Sequence, residues 1–114
     1  VYSGGEANVI ASLAILGHDT KFITKVPDNY LGKKVISKFR SYNVDVNDIV
    51  LGEGRLGVYY SEIGHGLRST EVIYDRKYSA ISMAEKDEFN IKNLLDGVGL
   101  VHLSGITPAL SKNL

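Results

Sequence analysis

Apolar residues near the start of the chain recur at helical spacing. Ala7, Ile10, Ala11 and Ala14 fall on one face, which predicts a helix over residues 5–16. Val9, Leu13, Ile15 and Leu16 widen the apolar surface, so this helix is expected to be covered on much of its girth. Gly17 suits the position just past a helix end, and His18-Asp19 make a turn. Lys21-Phe22-Ile23-Thr24-Lys25-Val26 reads as a strand stopped by Pro27. Asp28 or Asn29 can cap a second helix whose face carries Leu31, Val35, Phe39 and Tyr42. Lys33, Lys34, Lys38 and Arg40 lie mostly off that face, as a solvated surface does, and Asn43 can take the left-handed position that ends the helix. Helix, strand and helix with short links predict an α/β layer, with helices on a largely parallel sheet.

The pattern changes over residues 48–82. Alternation over 55–63 and 69–76 predicts two strands joined through Gly64-His65-Gly66-Leu67-Arg68. They are more polar than fully buried parallel strands, so they read as an antiparallel excursion with one wet face, a plausible lid. Period-two geometry puts Gly57, Tyr59 and Ser61 on one face, and Val72, Tyr74 and Arg76 on one face of the second strand. If those faces coincide, two flat tyrosines and a planar guanidinium fork form a patch suited to a small hydroxylated acid. A surface arginine beside two half-buried strand tyrosines would give the same pattern. Further on, residues 90–96 predict a short helix ended by Gly97. Val98-Gly99-Leu100-Val101-His102-Leu103 then predicts a buried strand, with His102 packed in the core, and a new helix is expected from Pro108 or Ala109. Ser104-Gly105-Ile106 follows the carboxyl end of that strand, where ligands of open α/β sheets bind.

Composition narrows the choice of partner. The 114 residues suit one domain, and 44% hydrophobic with 23% charged residues is ordinary for a globular chain. Thirteen basic residues balance thirteen acidic ones, which gives no electrostatic case for nucleic acid or an anionic membrane. No apolar run reaches the ~18 residues that a membrane span needs. The chain has no cysteine, which excludes a thiolate nucleophile and fits a reducing, cytoplasmic setting. It lacks an initiator Met and ends inside a predicted helix, so it reads as part of a longer protein.

Candidate chemistry concentrates at Ser3-Gly4-Gly5-Glu6-Ala7-Asn8. Glycines ahead of a helix let a ligand approach the backbone, and the first helical N–H groups lack intrahelical partners. The Asn8 amide both donates and accepts, as a sugar hydroxyl requires. A plain turn followed by a surface asparagine is the competing reading. Gly52-Glu53-Gly54-Arg55-Leu56-Gly57 matches G-x-G-x-x-G, but strand-like residues follow it where a dinucleotide fingerprint needs a helix. His18, His65 and His102 show no metal-ligand spacing, so no protein metal site is expected.

Ser3-Gly4-Gly5-Glu6-Ala7-Asn8-Val9, Leu13-Ala14-Ile15-Leu16-Gly17-His18 and Pro27-Asp28-Asn29-Tyr30-Leu31-Gly32 together resemble the ribokinase/fructokinase family of carbohydrate kinases. Within it, Arg55-Leu56-Gly57-Val58-Tyr59-Tyr60-Ser61-Glu62, Tyr74-Asp75-Arg76-Lys77-Tyr78-Ser79-Ala80 and His102-Leu103-Ser104-Gly105-Ile106-Thr107-Pro108 resemble the 2-keto-3-deoxygluconate kinases. The resemblance implies that residues 1–114 are part of a ribokinase-like α/β domain, with helices on a mostly parallel sheet and a small antiparallel β lid over about 48–82. It implies ATP-dependent phosphorylation of the 6-hydroxyl of a sugar acid, with Mg²⁺ accompanying ATP. Substrate contacts would come from Gly4, Gly5, Asn8, Tyr59, Tyr74, Arg76 and Ile106, with Arg76 at the acid end. Ser3 and Asn43 stand where the family often has Gly. The family's Gly-Ala-Gly-Asp-type motif, with its catalytic Asp and anion hole, is absent, so no catalytic residue is expected in this segment. A fructokinase or other sugar or nucleoside kinase is the alternative within the family. A non-catalytic sugar-binding or dimerisation module is the alternative outside it. The lid's exposed edge also invites a homo-oligomer.

Overall fold

A computed structural model describes residues 1–113. The chain runs through α1 (Gly5–Ile15), β1 (Lys25–Pro27), α2 (Tyr30–Arg40), β2 (Val50–Gly52), β3 (Val58–Glu62), β4 (Glu71–Asp75), two 3₁₀ turns (Ile81–Met83 and Lys86–Glu88) and α3 (Ile91–Leu94). β1 and β2 are parallel, pairing Lys25 with Val50, Val26 with Leu51 and Pro27 with Gly52. The parallel ladder begins earlier than the strands: Lys21 bridges Asp45, and the Phe22 N–H donates to the Asp45 carbonyl at 2.9 Å. β3 and β4 form a separate antiparallel hairpin. The α/β layer and the antiparallel excursion expected from the pattern are both present.

The core lies between the helices and the β1–β2 sheet. It consists of Ala7, Ala14, Val26, Val35, Phe39, Val44, Val46 and Ile49, with Phe22, Ile10 and Leu56 packed against it. The Phe22 and Phe39 rings meet at 5.1 Å in a tilted arrangement. α2 starts where Asn29, in extended backbone, accepts the Gly32 N–H at 3.1 Å. Its buried face differs from the expected one by part of a turn. Leu31 is half exposed, and Gly32 is buried in its place ahead of Val35 and Phe39. The reason is a close approach: a Cβ on Gly32 would lie 1.9 Å from the Pro27 carbonyl oxygen. Only a residue without a side chain lets the first turn of α2 sit on the end of β1. α2 then closes through Asn43 at φ 69°, as its residue type predicts.

Three expectations fail. α1 buries only Ala7 and Ala14, and Ile15 and Leu16 are exposed, because among the described residues nothing packs on its outer side. Residues 98–103 form no strand. Leu100 is 81% exposed, Leu103 79%, and His102 is exposed rather than packed in a core. A parallel strand is held by neighbours on its edges, and no described segment pairs with this one. From Ile106 the chain makes turns (Ala109 N–H to the Ile106 carbonyl at 3.1 Å, Leu110 N–H to the Thr107 carbonyl at 3.0 Å) rather than a helix.

The chain returning from the hairpin is tied to β1 by a buried cation. Lys25 Nζ lies 2.7 and 2.8 Å from the two Glu88 carboxylate oxygens. Glu88 also accepts the Glu85 N–H at 2.8 Å. Gly52 leaves room for the lysine, since a Cβ there would lie 2.7 Å from Lys25 Cε. The bond from Lys25, helped by the Glu85 amide, holds the Glu88 carboxyl below its ordinary value of 4.5 against the opposing effect of burial.

In the intact protein, Gly32→Ala is expected to lower unfolding stability by about 1–3 kcal/mol, read as a shift of the urea midpoint at unchanged slope. A carboxyl depressed in the folded state stabilises fully above its unfolded value, and that contribution disappears as pH falls through the depressed one. Glu88→Gln should therefore lower stability at neutral pH and reduce the loss of stability seen below pH 4.5, in urea titrations at a series of pH values.

Candidate functional site

Two groups of side chains carry the candidate chemistry. The first is at the N-terminus of α1. Gly4 is in extended backbone, and the Asn8 N–H closes the first helical turn on its carbonyl at 2.8 Å. Asn8 is exposed, and its Oδ1 accepts the Ser3 hydroxyl at 3.2 Å. Its amide nitrogen has no protein acceptor among the described residues. A Cβ built on Gly5 would lie 3.5 Å from Ile106 Cδ1, so the isoleucine sits directly against this turn. Ile106 thus meets Gly5 in the turn that also carries Gly4 and Asn8, although it is about a hundred positions away in the chain.

The loop carrying Ile106 is held there by Glu6. The Ser104 hydroxyl donates to Glu6 Oε1, and Thr107 Oγ1 makes a longer contact of 3.4 Å to the same oxygen. Ser104 Oγ in turn accepts the Ile106 N–H at 3.2 Å. Burial pushes the Glu6 carboxyl up, but hydrogen bonds from Ser104, from the Glu6 and Ser104 backbone and from Thr107 outweigh it and hold the group below its ordinary value. A carboxylate in the first turn of a helix also meets the positive end of the helix dipole.

The second group is on the hairpin. The register pairs Tyr59 directly with Tyr74, so the two strand faces do coincide. Their rings lie 6.3 Å apart at 47°. Arg76 continues this face, with its guanidinium carbon 4.1 Å from the centre of the Tyr74 ring. Gly57 keeps the space beside it open, since a Cβ there would lie 3.5 Å from Arg76 Cγ. Arg76 is partly buried and has no carboxylate partner among the described residues. The other arginines of the hairpin do: Arg68 pairs with Glu62, and Arg55 pairs with Asp75.

The Arg55–Asp75 pair fixes the base of the hairpin. Arg55 Nη1 and Nη2 donate to the two Asp75 carboxylate oxygens at 2.7 and 2.6 Å. They also reach the carbonyls of Lys77 at 3.1 Å and Asp75 at 3.2 Å. The Ala80 N–H donates to the Arg55 carbonyl at 2.8 Å where the hairpin rejoins the core. The bond to Arg55 holds the Asp75 carboxyl below its ordinary value. Asp75 faces away from Arg76, as alternation along a strand requires, so it secures the strand and leaves the Arg76 guanidinium without a carboxylate among the described residues.

A cleft of about 460 Å³ lies beside the hairpin, and of the seven candidate residues only Tyr59 lines it. Ser3 and Ala7 line it on the α1 side, and Gly57, Tyr59 and Ser61 on the hairpin side. Among the described residues no hydrogen bond joins one group to the other. No group of three or more His, Asp or Glu that could hold a metal ion is found among the described residues. The glycines of 52–57 lead into β3, a strand, and not into a helix.

Sequence reasoning misses both Glu6–Ser104 and Arg55–Asp75. An acidic residue in the first turn of α1 marks Glu6 as notable. Nothing local identifies a partner 98 positions away. For Arg55, which precedes β3 by three positions, the hairpin register pairs Asp75 with Val58, and no local signal identifies the ion pair.

Comparison with known proteins agrees with this fold. Residues 1–114 match the pfkB family carbohydrate kinases. The chain is 36% identical over 112 residues to the 2-dehydro-3-deoxygalactonokinase of Haloferax volcanii, covering 98% of this chain and 35% of that protein. It is 31% identical to the 2-dehydro-3-deoxygluconokinase of Bacillus subtilis, covering 96% of this chain and 34% of that protein. The crystal structure of 2-dehydro-3-deoxygluconokinase from Thermotoga maritima superposes with a TM-score of 0.97 at 45% identity, over all of this chain and 35% of that one. The chain therefore spans about a third of the length of these relatives. The chain belongs to the pfkB family of carbohydrate kinases.

Proposed function

We propose that the intact protein transfers phosphate from ATP to the 6-hydroxyl of 2-keto-3-deoxygluconate, and that residues 1–114 supply the acceptor-binding half. The observation that carries this reading is Arg76. It is partly buried, stacked on Tyr74 and without a carboxylate of its own among the described residues, beside arginines that are paired. Such a group suits the carboxylate of a sugar acid, which can take two hydrogen bonds from its planar fork. Tyr59 and Tyr74 would flank the sugar with flat faces and hydroxyl tips. The Gly4-Gly5 backbone, Asn8 and Ile106 would form the floor beneath its hydroxyls. The kinases of keto-deoxy sugar acids among the relatives support the same substrate class.

Phosphoryl transfer depends on positioning and on stabilising charge at the phosphate. This segment orients the acceptor and shields it from water. The residues that hold ATP and Mg²⁺ and activate the hydroxyl would lie elsewhere in the intact protein. As such a kinase it would act in the cytoplasm. The outer face of the hairpin, with Tyr60 opposite Ile73 and both largely exposed, would suit a second copy of the protein. The galactonate epimer is a second reading, favoured by the 36% identity to a 2-dehydro-3-deoxygalactonokinase. The two epimers share the acid end and differ in a hydroxyl that the floor would read.

Arg76→Ala in the intact enzyme should weaken binding of the keto-deoxy sugar acid by about 2 kcal/mol or more, roughly thirtyfold in KM, and hardly alter a neutral sugar such as fructose. An equal loss for both acceptors would exclude the sugar-acid reading. Residues 1–114 alone should transfer no phosphate from ATP to either epimer in a radiolabel assay. Measurable transfer by the segment would refute its assignment as the acceptor half.

A further inference from the structure

Glu6 holds a carboxylate in the first turn of α1, one residue past Gly5, and the acceptor contacts proposed above do not require it. Its Oε1 receives Ser104 and, at longer range, Thr107. These are the residues on either side of the Gly105-Ile106 step. Ser104 Oγ is engaged twice, donating to Glu6 and accepting the Ile106 N–H at 3.2 Å. The chain Glu6–Ser104–Ile106 therefore runs from the first turn of α1 to the backbone of the residue whose side chain rests on Gly5.

Among the described residues, little else fixes the 104–107 loop. The segment before it, 98–103, pairs with no described strand and exposes its apolar residues. The residues after it make isolated turns. Glu6 is one residue past Gly5 and two before Asn8, so a shift of its carboxylate moves the floor and Ile106 relative to each other. Ser104 and Thr107 offer hydroxyls, which need an acceptor when partly buried. A carboxylate at a helix N-terminus is a strong one, since hydrogen bonds to an ionised group are shorter and stronger than neutral ones.

We infer that Glu6 is a positioning residue for the acceptor site: through Ser104 it sets the separation between the Gly4-Gly5 turn and Ile106, and so the fit of the sugar between them. The inference rests on the acceptor-site reading given above. It assigns Glu6 no contact with substrate and no proton transfer. Its carboxylate stays charged, with Oε1 engaged by the loop.

The test uses Glu6→Ala, Ser104→Ala and the double variant in the intact protein, with amide hydrogen exchange of the unliganded protein and steady-state kinetics. Each single variant should speed exchange over residues 104–110 and raise the sugar-acid KM about tenfold, as loss of a charge-assisted bond would, with kcat and the KM for ATP little changed. The double variant should be no worse than the worse single one, because both remove the same link. Glu6→Gln keeps an acceptor oxygen and should recover most of the acceptor KM. Multiplicative effects in the double variant, or faster exchange with an unchanged acceptor KM, would overturn the inference. Asn8→Ala separates this from failure of the site itself: if Asn8→Ala raises the acceptor KM and Glu6→Ala does not, only the role of Glu6 falls. If Glu6→Ala does not fold, Ser104→Ala with Thr107→Val removes the same bonds from the other side. That pair should raise the acceptor KM in the same way, and an unchanged KM would overturn the inference.

Discussion

A lysine ammonium buried at the end of a short strand must have its counter-charge within reach, because an unpaired charge away from water is too costly to keep. Lys25 finds that partner in Glu88. The requirement fixes where the chain lies after it has left the core for the hairpin and come back. Gly52 makes the arrangement possible by leaving a gap in β2 through which the lysine passes. With Glu88 held, the 3₁₀ turn over Lys86–Glu88 and the short α3 after it are placed beside β2. The hairpin then projects from a base whose two sides are both anchored.

The base of the hairpin repeats the same logic at the surface. Arg55 and Asp75 are partly exposed, and a single pair of that kind contributes little to stability in water. Its value lies in geometry. A bidentate fork also bonded to two carbonyls permits few arrangements of the strand that carries Asp75. Arg76 is the next residue and points to the other face. Pairing one charge on the outer face leaves the next guanidinium aimed at the inner one, stacked on Tyr74 and without a carboxylate partner among the described residues. In the proposed acceptor site, structure and recognition are thus divided between adjacent residues by the alternation of a β-strand.

Much of this architecture is legible in the chain. The spacing of Val35 and Phe39 predicts α2, Asn29 and Asn43 mark its ends, and alternation predicts β3 and β4. The coincidence of Tyr59, Tyr74 and Arg76 follows from period two if the strand faces meet, and the register puts them together. The buried face of α2 is less legible. Apolar character points to Leu31, whereas close packing on Pro27 requires Gly32. The apolar run of 98–103 likewise predicts a strand that does not form. Such a run records a preference for burial, but burial needs partners, and no described segment supplies them.

By itself, the sequence determined the local choices: where helices begin and end, which strands alternate, and which residue types could recognise a hydroxylated acid. These depend on backbone freedom, capping and side-chain period, all of which act over a few residues. The tertiary structure alone decided which distant groups meet. Lys25 with Glu88, and Glu6 with Ser104, are pairings across 63 and 98 positions. No spacing rule reaches so far, because the contact depends on how every intervening element packs. The proposed acceptor site combines both kinds of information. Its chemistry is written in Gly4, Gly5, Asn8, Tyr59, Tyr74, Arg76 and Ile106, and the distances between them are set by residues that carry none of that chemistry.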